Sequence, residues 1–278
     1  MANDATNQMA SGWSVMTMLT WREVIRFFRQ RNRVIGAVGQ PILFWMLFGA
    51  GMNSMFQLPG QSFSEYYIPG TLVLILLFTA IFATISIIED RNEGFLQSVL
   101  VAPVPRWSMI AGKVVGGTII AVLQSLLFLA FSLTLGIRIS AVDTVLLFAF
   151  ITLTGVGLTC LGVAIAWRLD STQGFHAIMN LLLMPMWLLS GAFFPVPTPG
   201  SDAGVAQIGL HWLMRVNPVT YGVAGIRRIL CGDKIEQITS TVWVPQMSTC
   251  WIITIVFCVL IYMVAWRAAG RRIAGDLK

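Results

Sequence analysis

Two histidines, four cysteines and one Gly-Lys pair are the residues here whose types suit bond chemistry. Ser190 and His211 have the types of a hydrolytic dyad, in which a histidine takes the proton of a serine hydroxyl. Their setting gives no support to one, because Ser190 sits in an apolar run. Neither His-Glu-x-x-His nor Gly-x-Ser-x-Gly occurs. Gly112-Lys113 lacks the following Ser or Thr and the earlier glycine of a phosphate-binding loop. Cys160, Cys250 and Cys258 lie in apolar runs and Cys231 in a polar segment, a pattern of small hydrophobes rather than metal ligands. A Cys231–Cys250 bridge stays open. His176 and Asn180 are four apart and share a helical face, and Gln124 lies in the middle of another apolar run. Such residues are either hydrogen-bonding glue between helices or the lining of a substrate path, for which Gln124 and Asn180 are the candidates.

The elements that must position these residues are set by where charge is missing. No Asp, Glu, Lys or Arg occurs in 34–64, 66–88, 114–137, 144–167, 171–201 or 237–266. A helix rises about 1.5 Å per residue, so about 20 residues cross a hydrocarbon core of about 30 Å. Each run is long enough. Only 11% of residues are charged and 56% are hydrophobic, far from a soluble domain. Barrel strands would alternate in pieces of about ten residues, so continuous runs mean helices. The expected fold is an all-α polytopic membrane protein with spans at 34–56, 67–88, 108–135, 142–167, 174–193 and 248–266, in one domain over 1–278.

The net charge of +6 does not point to a nucleic-acid partner. Arg22, Arg26, Arg29, Arg31, Arg33, Arg91, Arg106, Lys113, Arg168, Arg267, Arg271, Arg272 and Lys278 all fall on one side of a six-span topology. Arg138, Arg215, Arg227, Arg228 and Lys234 fall on the other. The positive-inside rule then places both termini in the cytoplasm. The first 12 residues are polar, so an uncleaved first span is the simpler account of insertion.

Residues 13–31 read as an interfacial amphipathic helix. Arg22, Arg26, Arg29 and Arg33 recur at helical spacing, with Val15, Met18, Leu19, Trp21, Ile25 and Phe28 as apolar surface. Membrane lipid is the expected partner, with arginines reaching its phosphates. Residues 89–104 read as a cytoplasmic helix closed by Pro103 and Pro105. Gly112, Gly116 and Gly117, and Gly155, Gly157 and Gly162, allow close helix packing. Pro185 is expected to kink span five. Residues 195–230 read as two short helices split at Asn217-Pro218, dipping into the outer leaflet and returning. No span is expected to carry an acid or base beyond His176, which argues against a proton- or sodium-coupled carrier.

Two stretches resemble a known family. Leu189-Ser190-Gly191-Ala192-Phe193-Phe194-Pro195, then Val216-Asn217-Pro218-Val219-Thr220-Tyr221-Gly222 and Ile226-Arg227-Arg228, are similar to the signature of type-2 ABC exporter permeases. Glu89-Asp90-Arg91-Asn92-Glu93-Gly94-Phe95-Leu96, Pro103-Val104-Pro105-Arg106 and Lys113 agree with it. Family members often carry Gly-Thr-Leu-Glu where this chain has Gly94-Phe95-Leu96-Gln97. The resemblance covers about residues 13–270 and looks most like the drug-exporter and nodulation lipo-oligosaccharide branch.

The resemblance implies a bacterial inner-membrane export subunit without its own nucleotide site. Residues 13–31 would be the connecting helix. Residues 89–104, with Glu89, Arg91, Glu93, Gly94, Leu96, Pro103 and Arg106, would be the coupling helix seated on a separate ABC ATPase subunit. That partner would hold ATP and Mg. Gly191, Pro195, Asn217, Pro218, Tyr221 and Arg227 would belong to an outer re-entrant gate. Two permeases, identical or different, would pair. The other readings are an ATP-independent channel or scaffold, and an intramembrane enzyme.

Overall fold

The computed structural model describes residues 11–52, 62–134, 139–200, 204–232, 235 and 242–271, with backbone alone at 97, 100, 270 and 271. The turn at Pro59-Gly60, Arg138, Lys234 and the tail from Arg272 lie outside the described residues. Ten helices follow in order among the described residues. They are α1 (Gly12–Arg29), α2 (Arg31–Met52), α3 (Phe63–Asn92), α4 (Phe95–Val101), α5 (Arg106–Leu133), α6 (Ala141–Ala166), α7 (Thr172–Trp187), α8 (Val205–Val216), α9 (Pro218–Cys231) and α10 (Met247–Arg271). A five-residue π-turn, Leu188–Ala192, prolongs α7. Six of these elements are long and apolar enough to cross a membrane: α2, α3, α5, α6, α7 with its π-turn, and α10. The protein is an all-α polytopic membrane protein.

The spans begin and end with ordinary capping chemistry. Ser62 starts α3 in a capping box with Glu65, satisfying backbone donors at both residues. Ser140 and Ser171 accept from Asp143 N and Gly174 N at the starts of α6 and α7. α3 is the axis of the bundle: 89% of its apolar window is buried, against 17% for α2 and for α10. α1 lies across α5 through Leu19, Glu23 and Phe27, one residue per helical turn. Gly112 and Gly116 make this possible. A Cβ on Gly112 would stand 2.8 Å from Leu19 Cβ, and one on Gly116 2.9 Å from Glu23 Cβ. Gly117 does the same for α6, where Thr159 would be 2.7 Å away. The expected small-residue packing is thus used on two faces of one helix.

Several boundaries differ from the sequence expectation. α3 does not stop at 88 but runs four residues further, and the 89–104 segment is not one helix. Its first residues complete α3, Gly94 turns the chain at φ 76°, and α4 is a separate seven-residue helix. α2 starts at Arg31, three residues before the expected 34, and carries Pro41 inside it. α7 stays helical through Pro185, and the break comes at Leu189 and Gly191 instead. Cys250 is a buried thiol 3.8 Å from the Pro245 carbonyl oxygen and is not bridged to Cys231.

Candidate functional site

Polar side chains gather at both ends of α3, about 36 Å apart from Tyr66 to Asp90 along the helix. At the end near α4, the last turn of α3 meets α1, α2 and α5. Asp90 is 0% exposed, Glu23 4% and Lys113 5%. Arg22 Nη2 lies 2.8 Å from Asp90 Oδ1, and Arg26 Nη1 lies 2.5 Å from the same oxygen. Lys113 Nζ donates to both Asp90 and Glu23, and to Ser86 Oγ at 3.1 Å. Ser86 Oγ donates to Glu23 Oε2 at 2.6 Å. Arg26 also reaches Glu89 at 3.0 Å and Glu93 at 3.3 Å, and Arg33 pairs with Glu89.

Buried ions cost several kcal/mol each in desolvation, so this cluster persists only because nearly every charge has an opposite neighbour. Burial pulls the Arg22 pKa down. The hydrogen bond and charge of Asp90 outweigh that and raise it above the ordinary arginine value.

Three expectations change here. His176 is not the one titratable group on a span, since Glu89, Asp90 and Lys113 belong to α3 and α5. Arg22, Arg26 and Arg33 turn inward onto carboxylates instead of reaching lipid phosphates. The apolar residues of α1 also divide: Leu19 packs inward, while Met18 and Trp21 stay exposed.

α4 hangs from this cluster. The Arg22 guanidinium lies 3.8 Å from the Phe95 ring centre, and Leu96 is buried. Ser98, Ala102, Pro103 and Arg106 are exposed, and Val101 is 77% exposed at the tip. Arg91 faces inward as well, donating to the carbonyls of Trp167 and Leu169 at 3.0 Å and to Asp170 at 3.1 Å. Of the residues expected on the coupling surface, Glu89 and Arg91 therefore tie α4's root to α1, α2 and the α6–α7 link. Glu93, Pro103 and Arg106 remain at the surface.

Sequence reasoning did not join Glu23, Ser86 and Lys113. One signal was present: Glu23 sits four residues from both Leu19 and Phe27, an acid within the buried stripe of α1.

At the other end of α3, the π-turn breaks the ladder of span five and frees carbonyls inside the bundle. Gly191 adopts φ 75°, which costs a glycine little. Its carbonyl accepts from Arg227 Nη2 at 2.8 Å and Tyr66 Oη at 3.0 Å. The Met186 carbonyl accepts from Asn217 Nδ2 at 2.5 Å, while Asn217 Oδ1 caps α9 through Val219 N. Tyr221 Oη donates to the Arg215 carbonyl at 2.8 Å, holding α8 to α9. Arg227 is 3% exposed and lies 4.1 Å over the Tyr66 ring. Arg227 and Asn217 of α9 and its cap, with Tyr66 of α3, thus supply donors to the broken backbone at Gly191 and Met186, while Tyr221 ties α9 to α8.

α3 touches the break at Gly70, whose carbonyl accepts from Trp187 Nε1 at 2.9 Å. A Cβ on Gly70 would meet Ala192 O at 2.7 Å and its Cα at 2.9 Å. Gly70→Ala is therefore expected to lower stability by about 1–3 kcal/mol, the usual cost of overpacking against backbone. Thermal unfolding of the purified protein checks this; an unshifted midpoint would mean the turn yields freely.

The remaining candidates are dispersed. Ser190 Oγ donates to Trp187 O at 2.5 Å, and His211 Nδ1 lies 2.6 Å from Pro197 O, so each has a structural partner elsewhere. Gln124 is buried and accepts from Thr79 Oγ1 at 2.5 Å, bonding α5 to α3. Asn180 is exposed on α7 and, with His176, borders a shallow cleft against Phe78 and Phe82. The structure does not bring Gln124 and Asn180 into one lining.

Membrane-crossing helices, a charge-locked root for α4 and a braced helix break define an integral membrane protein with polar clusters at both ends of its central helix. The profile of the ABC-2 type transporter family matches residues 15–231, and the chain belongs to that family. It is a permease, the membrane subunit of an ABC transporter. It is similar to the inner membrane transport permease YadH of Escherichia coli K12, at 23% identity over 93% of this chain and 96% of that protein. It is also similar to ycf38 of Cyanophora paradoxa, named as a transport permease, at 26% identity over 76% and 72% of the two chains. YbhR of Escherichia coli K12, named as a multidrug ABC transporter permease, matches at 23% identity over 66% of this chain and 49% of its own length.

Proposed function

We propose that this permease exports an amphiphilic or hydrophobic substrate, such as a drug, glycolipid or lipo-oligosaccharide, from the bacterial cytoplasm across the inner membrane. Both termini and α4 face the cytoplasm, and α1 lies in the headgroup plane. The names of YadH and YbhR support the membrane and the substrate class. The observation that carries the reading is the mounting of α4. Its tip is exposed and apolar, while its root is fixed to α1, α2, α3 and α5 through Asp90, Arg22 and Glu89.

A separate ATPase subunit, which holds ATP and magnesium, takes the α4 tip. Closure of two such subunits pushes α4, and the charge cluster passes the displacement to α1, α3 and α5. Two permeases form the path between them; the sparsely buried faces of α2, α7 and α10 are available to lipid and to the second copy. α8, α9 and the π-turn form the outer re-entrant gate. The permease does no bond chemistry.

A tagged pull-down from native membranes tests this. A stoichiometric P-loop ATPase is expected. Gly94→Pro is expected to separate ATP hydrolysis from export, because the ring fixes φ near about −65° where Gly94 needs 76°. Export by the chain with no ATPase bound would favour a channel, and unchanged export in Gly94→Pro would remove α4 as the coupling element.

A further inference from the structure

The junction of α1 and α2 holds cations that the charge cluster leaves over. Arg22, Arg26 and Arg33 are committed to Asp90, Glu89 and Glu23. Arg29 and Arg31 are exposed, and among the described residues neither has an ion-pair partner. They flank Gln30, the one residue between the two helices. Gln30 and Arg29 line two open grooves at once. The first, of about 580 Å³, runs along α1 past Met18, Trp21 and Ile25. The second, of about 460 Å³, is also lined by Arg31, Asn32 and Arg33.

A molecule filling both would put an anion by Arg29 and Arg31 and an apolar chain along Met18 and Trp21, which are 70% and 66% exposed. Gln30 is half-buried and its Oε1 atom has no donor; turned outward into the grooves that the residue lines, it would take a hydroxyl or ammonium group of the same molecule. The first turn of α2, where Arg33 N and Val34 N donate to the Gln30 carbonyl, adds the positive end of a 22-residue helix.

We infer that this junction is a binding site for one anionic phospholipid with a donor-bearing headgroup, of which phosphatidylglycerol is the simplest. The inference rests on the interfacial placement of α1 proposed above. The phosphate lies between Arg29 and Arg31, a headgroup hydroxyl reaches Gln30, and an acyl chain follows Met18 and Trp21. Charge and apolarity both select this occupant over a soluble phosphate, which would leave the Met18–Trp21 groove empty. The lipid would sit one helical turn from Arg33 and Arg26, and so beside the pairs that anchor α4.

Native mass spectrometry of the full-length permease, purified without any ATPase, tests this with phosphatidylglycerol and phosphatidylcholine titrated in competition. The wild type should retain phosphatidylglycerol preferentially. Arg29→Gln with Arg31→Gln should weaken that retention by about thirtyfold, at about fivefold per cation near a lipid phosphate. Arg267→Gln, the loss of one positive charge on the exposed end of α10, should leave it unchanged. Millimolar inorganic phosphate should not displace the lipid. Equal retention of both lipids, retention by the double variant, or displacement by phosphate would each overturn the site. Because no ATPase is present, failure here is separate from failure of the coupling scheme.

Discussion

Asp90→Asn is expected to be among the most damaging single substitutions in the chain. It keeps the size of the side chain but removes the anion shared by Arg22, Arg26 and Lys113 in a place with no exposure to water. Breaking a buried ion pair from one side costs about 3–5 kcal/mol, because the partner charge stays behind. Here three cations are left with Glu23 and Glu89. By contrast, Glu93→Gln touches a 60% exposed carboxylate on the rim of the cluster and should cost under about 1 kcal/mol. The double variant Glu23→Gln with Lys113→Met removes one charge of each sign. It should cost less than the sum of its single changes, as coupled neighbours do. Thermal unfolding of detergent-purified protein, followed by size-exclusion chromatography, measures each of these variants. If Asp90→Asn unfolds with the wild type, water reaches the cluster and it does not lock α1 to the bundle.

The same cluster marks where the sequence stopped being readable. The spans were legible because six charge-free runs of bilayer-crossing length cannot all be buried in the soluble core of a 278-residue chain. Their ends were not. Glu89, Asp90 and Arg91 look like the start of a loop, since charges at a span boundary normally go into water. The two acids continue α3 because Arg22, Arg26 and Arg33, more than 55 residues earlier, neutralise them, and Arg91 does because the Trp167 and Leu169 carbonyls and Asp170 accept from it. A one-dimensional pattern does not show that pairing.

The signature at the other end was legible as a motif but not as a mechanism. Asn217-Pro218 announced a helix start, and that is what it is. Arg227 read as an outer-side charge near the end of the second re-entrant helix, whereas it is buried against the break in span five. Pro185 drew attention away from that break. A proline removes one donor, which a membrane helix tolerates; the larger disruption is at Gly191, where the backbone leaves the helical region altogether.

Arg227→Met should be comparably severe, for a different reason. Among the described residues Arg227 has no acidic partner; it is held by carbonyl oxygens and by the Tyr66 ring. Removing it strands the Gly191 carbonyl on Tyr66 alone, in a region where each unsatisfied polar group costs about 1–3 kcal/mol, and removes a desolvated cation–π contact worth about 2 kcal/mol. Arg227→Lys keeps the charge but not the planar group that stacks and donates at once, so it should fall between methionine and wild type. Tyr66→Phe takes one of two donors from Gly191 and leaves the ring, and should cost about 1 kcal/mol.

The expected order of loss is therefore Arg227→Met, then Arg227→Lys, then Tyr66→Phe, in both unfolding temperature and substrate transport. The order matters more than any one value. A cation balanced by an acid would tolerate lysine well, whereas one balanced by free carbonyls and a ring face depends on shape. Equal behaviour of lysine and arginine at 227 would show that charge alone holds the break. Equal behaviour of methionine and arginine would show that water already does. Only the graded result fits a helix break that Arg227, Gly191 and Tyr66 hold together, which is what ties the turn in span five to α9 and to α3.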